Sequence, residues 1–361
     1  MDPVTHALSG ALVARLVTRA DAPAGETLRR MAVGALAAAA PDLDVVLGFF
    51  GPEVTLRTHR GLTHSVVMLP LWAWVLAAAL APLVRAPAGW RSLYGLCALG
   101  LGLHIAGDLI TSFGTMVLAP LSDWRAGLGT TFIIDLWLTG LVAAGLLASA
   151  VWRRSRWPAA LACALVVGYI GFQSIEKQRA IAFGEAYARA HAIPLARVTA
   201  QPRPVSPFNW TVFVSDAQSH RYAHVNLRRT EAVTLSPDAG PIARLDAAYR
   251  PLDQAEWIER SRYGDGAVEA LARDAWQSPA LAVYRWFADL PAFDGTADDA
   301  SCVWFTDLRF LTPGRDAMPF RIGACRDAPG QPWVGYQRVG ETDRVPLRRG
   351  EHVASRPPAT R

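Results

Sequence analysis

The twenty residues Ser65–Val84 carry no charged side chain. A helix needs about 20 mostly apolar residues to cross about 30 Å of hydrocarbon, so this run fixes the class of fold before any motif is read. Elsewhere the chain changes character, and Arg244–Arg273 is crowded with charge. The overall 52% hydrophobic and 19% charged residues therefore average two unlike parts, against roughly 45–50% and about 25% in a soluble domain. The reading is an α-helical polytopic membrane domain of about six helices over residues 1–175, followed by a soluble α+β domain. A helical extension and a Pro-rich linker occupy 176–209, the external α+β domain 210–342, and a polar tail 343–361.

Phe132–Trp152 and Trp157–Ile175 pass the same length test. Leu93–Ile110 passes it while carrying His104 and Asp108. Met31–Phe50 is apolar apart from Pro41, Asp42 and Asp44, and Val4–Val17 is short, with His6 near its start and Arg15 near its end. The start of the chain lacks the basic leader of a cleaved signal and carries Asp2 and His6 instead.

The net charge is +5, and Lys177 is the only lysine. With six spans, Arg19, Arg29, Arg30, Arg85, Arg91, Arg153, Arg154 and Arg156 fall on one side, and Arg57, Arg60 and Arg125 with Glu53 and Asp123 on the other. The arginine-rich side is expected in the cytoplasm, which puts the C-terminal domain outside, or in the periplasm of a Gram-negative cell. No basic run interleaved with aromatics stands out, so nucleic acid is not an expected partner. Cys302 and Cys325 both fall in the external domain, where a disulfide would suit an oxidising compartment; two unpaired thiols are the alternative.

Ionisable side chains inside spans cost about 2.5–3.5 kcal/mol on insertion scales for Asp or Arg at a helix centre. This chain has His6, Asp42, Asp44, His59, His64, His104, Asp108 and Asp135 in or beside its spans. The arginine-based topology puts all of them at one membrane face, opposite the cytoplasmic arginines. His104 and Asp108 are four apart and share a helix face. Nitrogen and carboxylate donors suit Zn²⁺ first, with Mn²⁺ or Fe²⁺ as alternatives. His6, Asp42, His59, His64, His104 and Asp108 are the expected metal ligands. Asp44 is the expected general base, and Arg60 stands with it in the catalytic set. Arg57, Thr63, Ser65 and Thr111 are expected around the substrate, where an arginine would receive an anionic group.

The bland readings stand beside these. His6 at a helix start can be a capping or core residue, Asp42 can cap a turn, and Asp135 can cap the fifth helix. Arg60 can be an ion-pair partner of Asp42 or Asp44. The expected function is a membrane-bound metal-dependent hydrolase acting on a phosphoester in a lipid or lipid-linked substrate. Its alternative is a proton- or ion-coupled transporter using the same cluster.

Asp2-Pro3-Val4-Thr5-His6 with Gly10, Pro41-Asp42-Leu43-Asp44, His59-Arg60-Gly61-Leu62-Thr63-His64-Ser65, His104-Ile105-Ala106-Gly107-Asp108, Thr111, Gly114 and Pro120 resemble the YdjM-like family of inner-membrane metal-dependent hydrolases. The resemblance covers roughly residues 1–175. It implies a multi-pass protein of the bacterial inner membrane, a divalent-metal hydrolase, and a distant likeness to zinc-dependent phospholipase C. The family's LexA-binding label reads as a note on gene regulation, and nothing in the chain suggests repressor binding. Asp307-Leu308-Arg309-Phe310 also looks like the longer members of the family, with Asp307 and Arg309 expected on one side of a strand as a structural pair or an edge facing the membrane site.

Overall fold

The computed structural model describes residues 1–297, 301–314, 318–340 and 343–348. Helix α1 (Pro3–Val17) starts where Asp2 caps it, its carboxylate accepting from the Val4 and Thr5 amides at 3.1 and 3.0 Å, with Pro3 in the first turn. Helix α2 (Ala24–Ala39) runs on into an eleven-residue 3₁₀ stretch, Ala40–Phe50. A short helix α3 (Pro52–Thr58) and a 3₁₀ turn at Leu62–His64 lead to α4 (Leu69–Leu83), bent by 82° from the segment before it. Helices α5 (Arg91–Leu109), α6 (Leu136–Val151) and α7 (Trp157–Ala190) complete the bundle.

Among the described residues, three helical segments are long and apolar enough to cross a membrane: Ala24–Phe50, Arg91–Leu109 and Trp157–Ala190. A fourth joins them if the bent pair ending at Leu83 counts as one span. Helices α1 and α6 are apolar but shorter, at 15 and 16 residues. Small residues bring the helices together, as expected where lipid offers no hydrophobic drive for association. Gly10 and Gly34 face each other across α1 and α2, and a Cβ built on either would lie 2.2–2.5 Å from the other's carbonyl oxygen. Gly100 of α5 meets Ala37 of α2, and Gly145 of α6 meets Ala162 of α7.

Helix α7 continues past its apolar part, and Ala180 and Gly184 lie against Val198 and Val212 of the first sheet. That sheet is an antiparallel meander of β1 (Arg197–Pro202), β2 (Asn209–Ser215), β3 (Ser219–Asn226) and β4 (Ile258–Ser261). The stretch expected as a linker thus contributes β1 and the connection to β2. Its prolines terminate and turn strands rather than hold the chain away from the domain. Helix α8 (Pro241–Ala247) precedes β4, and helices α9 (Ala267–Gln277) and α10 (Ala282–Phe287) follow it.

The second sheet, in chain order, is β5 (Pro291–Thr296), β6 (Cys302–Asp307), β7 (Ile322–Cys325), β8 (Val334–Val339) and β9 (Asp343–Pro346). Cys302 and Cys325 are register partners on β6 and β7 and form a disulfide. Residues 343–346, expected in the polar tail, pair with β8 instead; the rest of that tail, 349–361, lies outside the described residues. Helices α9 and α10 pack Trp276, Tyr284 and Phe287 on Phe305 and Ile322, and Leu56 of α3 enters the same core. The C-terminal domain thus sits directly on α3, the segment that leads to His59 and His64.

Candidate metal centre

Asp42, His64, His104 and Asp108 each direct one donor atom into a common space, all four within 4.8 Å of one another, and form a group able to hold a metal ion. They come from three places: the 3₁₀ stretch, the turn after α3, and the last turns of α5. The helical period brings His104 and Asp108 to one face of α5. Three residues per turn, by contrast, send Asp42 and Asp44 in different directions. Asp42 faces His64 and His104, with its Oδ1 at 3.6 and 3.7 Å from their Nε2 atoms. Asp44 faces away, toward His59 and the turn.

The ring nitrogens are pre-set for coordination. Nδ1 of His104 lies 2.6 Å from the Ala38 carbonyl oxygen; this contact needs the proton on Nδ1 and leaves the Nε2 lone pair facing Asp108 at 3.5 Å. Nδ1 of His64 lies against Thr63 Oγ1 at 2.9 Å and Asp44 Oδ2 at 3.4 Å, and its Nε2 is 3.2 Å from Asp108 Oδ2. Among the described residues, Asp42 Oδ2, His64 Nε2, His104 Nε2 and Asp108 Oδ2 are buried with no hydrogen-bond partner, as is Arg60 Nε beside them. Orphaned buried atoms of this kind are costly unless something binds them. Two imidazole nitrogens and two carboxylates make a donor set that suits a divalent metal.

The other oxygen of Asp108 is held from the protein side. His6 Nε2 at 3.2 Å, Arg60 Nη2 at 3.0 Å and the Met1 amine converge on Oδ1. His6, expected as a ligand, stands beside the group of four: its ring stacks on His104 at a centroid distance of 3.8 Å. Gly107 makes room for it, because a Cβ there would lie 3.1 Å from His6 Cε1. His59, also expected as a ligand, points its Nδ1 to Asp44 Oδ1 at 2.7 Å, and its ring is 6.1 Å from that of His64. It is 24% exposed while its Asp44 partner is buried.

Both oxygens of Asp44 are engaged by the protein. Besides His59, it accepts from the Arg60 amide at 3.0 Å and Thr63 Oγ1 at 2.9 Å. Arg60 has φ of +59° and is 2% exposed, a backbone conformation that ordinary residues adopt rarely and mostly where the surroundings enforce it. Its Nη1 donates to Thr111 Oγ1 at 2.8 Å. Thr111 in turn donates to the Asp108 carbonyl. Ser65 donates to the Val117 and Ala119 carbonyls, fixing the loop after α5. Arg57 stands apart, 56% exposed and paired with Glu53. Asp135 caps α6 and accepts from Tyr169.

The pairing of Asp307 with Arg309 beside the membrane site matches the sequence expectation; the strand expected to carry both does not. Asp307 ends β6 and caps a 3₁₀ turn rather than continuing a strand. That turn folds Arg309 back onto it at 2.7 Å, and Arg309 also donates to the Phe287 and Phe113 carbonyls at 2.8 and 3.2 Å. Phe113 lies under Arg60, Arg125 and the aromatic group Phe287, Phe310 and Phe320. Burial, with the Arg309 and Arg60 charges adding to it, pushes the pKa of Arg125 down to about 9, still cationic at neutral pH. Phe113 sits two residues after Thr111, the only hint in sequence that this loop borders the site.

In comparisons with known proteins, residues 1–180 match the model of the YdjM inner membrane protein family. A protein of Bacillus subtilis (strain 168), described as uncharacterized protein YfhP, is 27% identical over 321 residues, covering 87% of this chain and 88% of its own length. No solved structure matches. The matched residues include every member of the His/Asp group, and the chain belongs to the YdjM inner membrane protein family.

Proposed function

We propose that the chain is a membrane-bound metal-dependent hydrolase acting on a phosphoester of a lipid or lipid-linked substrate, with six membrane helices and the C-terminal domain outside the cytoplasm. The observation that carries the reading is the convergence of one donor atom from each of Asp42, His64, His104 and Asp108 within 4.8 Å of one another, with a buried polar atom on every one of these side chains lacking a hydrogen-bond partner among the described residues. A divalent metal, zinc first among the candidates, would supply an activated water and polarise a phosphoryl oxygen. Asp44 orients His59 and His64, leaving the partly exposed His59 ring as the group placed to move a proton at Nε2. Arg60 holds Asp108 in place. Arginines along the other membrane face, together with the disulfide, support the external placement of the C-terminal domain.

A lipid substrate is supported by an apolar cavity of about 260 Å³ between α1, α5, α6 and α7. It starts at the level of the centre, beside His6 and Ile110, and extends inward to Val13, Leu103 and Cys163. From Ile170 to Cys163 along α7 is about 10 Å. A chain entering from the leaflet that faces the centre would run the same way. The transport reading lacks such support: beyond the cluster, α4 and α5 meet through Ala73, Ala77, Leu96, Cys97 and Leu101 rather than through a polar file.

The test is turnover of phospholipids in mixed micelles by the metal-loaded protein, followed by release of phosphate-bearing headgroup or diacylglycerol. Turnover that disappears in His64→Ala is expected. Proton or ion flux in vesicles that depends on Asp108, with no turnover of any phosphoester lipid, would replace this reading with transport.

A further inference from the structure

At the end of the bundle opposite the metal centre, the helices leave an open cavity of about 1000 Å³. Its polar wall is Arg15, Ser149, Arg153 and Arg154, and Leu28, Met31 and Leu146 stand in its apolar wall. Arg15 stands in the last turn of α1 and is 2% exposed. Its Nη2 donates to the Arg153 and Ser155 carbonyls, both at 2.7 Å, while Nη1 is buried and meets no acceptor among the described residues. The buried Ser149 hydroxyl has no partner among them either. Asp21 is the single carboxylate in the lining, and it is taken by Arg19 at 2.8 Å on the exposed rim.

A guanidinium buried with an empty donor and no carboxylate is a costly arrangement unless an anion or other acceptor completes it. Arg153 and Arg154, exposed at the mouth, add two positive charges. Topology accounts for exposed arginines at a helix end, but it does not account for one buried there with a donor unused. We propose that this cavity is a binding site for the phosphate headgroup of an anionic membrane lipid. Arg15 and Ser149 would contact the phosphate, and Leu28, Met31 and Leu146 would lie along the first part of a chain. Basic pockets between membrane helices recognise acidic headgroups in this way. Free phosphate shares the headgroup chemistry, but the apolar wall and the flanking spans favour the lipid. The site is independent of the metal centre.

The experiment uses the full chain in neutral detergent, titrated with phosphatidylglycerol, with phosphatidylcholine, or with inorganic phosphate. Thermal stability and native mass spectrometry of retained lipid are read together. Phosphatidylglycerol should raise Tm and remain bound at one site, whereas phosphatidylcholine should do neither. Arg153→Gln with Arg154→Gln, both at exposed positions, should weaken retention roughly tenfold or more. Arg85→Gln with Arg91→Gln, on the same membrane face but outside the cavity, should leave it unchanged. Arg15→Gln should remove the retained lipid if that variant folds. Equal responses to the two lipids, or equal loss in both double variants, would overturn the proposal. Inorganic phosphate matching the lipid at equal concentration would overturn its assignment to lipid.

Discussion

Arg309 of the C-terminal domain donates to the carbonyl of Phe113, 3.2 Å away, in the loop that follows α5, the helix carrying His104 and Asp108. Arg309 is itself held by Asp307, and both are buried. The two halves of the chain are therefore joined at the roof of the centre, through a charge pair that cannot be halved cheaply. Arg309→Ala leaves Asp307 buried without its partner, which costs about 3–5 kcal/mol in comparable pairs. Thermal unfolding in detergent should show a clear loss of Tm, and limited proteolysis should open the 112–127 loop before global unfolding. Wild-type protection of that loop in the variant would separate the two halves.

Asp44 tests the division between holding a metal and orienting its ligands. It contacts His59, the Arg60 amide and Thr63, and stands behind His64. Asp44→Ala should weaken metal affinity about 10–100-fold, the usual effect of removing an orienting partner. Competition with a chromogenic chelator measures this directly. Complete loss of metal, as expected for Asp108→Ala, would make Asp44 a ligand.

Much of the centre was legible because membrane burial makes polar residues conspicuous: His64, His104, Asp42 and Asp108 stood out against apolar neighbours. What separated Asp42 from Asp44 was not legible. Two residues apart, the carboxylates diverge on any helix, but nothing in residues 40–50 says which of them will face the histidines. His59 and His64 are likewise sorted by the turn at Arg60, whose positive φ depends on tertiary contacts. In the C-terminal domain, Val303–Leu311 has strand composition throughout, yet the Asp307 side chain bonds the Arg309 amide and ends the strand early. The small faces of the helices were visible as Gly and Ala, but not which would meet.

Those faces give a third expectation. Gly34→Val would drive a side chain into the Gly10 carbonyl and the Ala14 methyl, 2.5 and 2.6 Å from the new Cβ. Because the nearest atom is backbone, the helices must move apart, at about 1–3 kcal/mol or more. Gly140→Ala, with nothing within 4 Å of its Cβ, is the control. Tm in detergent should fall for the first and hold for the second.

Acid stability follows from His224 on β3. Burial, with the Arg203 charge adding to it, pushes its pKa down to about 3, from an ordinary value near 6.5. Between those values the unfolded chain binds a proton that the folded chain refuses, so stability is fully present above pH 6.5 and falls as pH drops toward 3. From pH 6.5 to 5 this amounts to as much as about 2 kcal/mol. Chemical denaturation of wild type against His224→Gln should show a shallower pH dependence in the variant. Parallel curves would assign the acid sensitivity elsewhere.

Metal content is the most direct measure of the central claim. Elemental analysis of detergent-purified wild type, His64→Ala and Asp108→Ala, each checked for folding by thermal unfolding, decides whether the four facing donors bind an ion. The account predicts one or two divalent transition-metal ions per wild-type chain and loss of metal in both folded variants. A wild type that stays metal-free after supplementation with zinc, manganese or iron, or variants that keep the full complement, would contradict it.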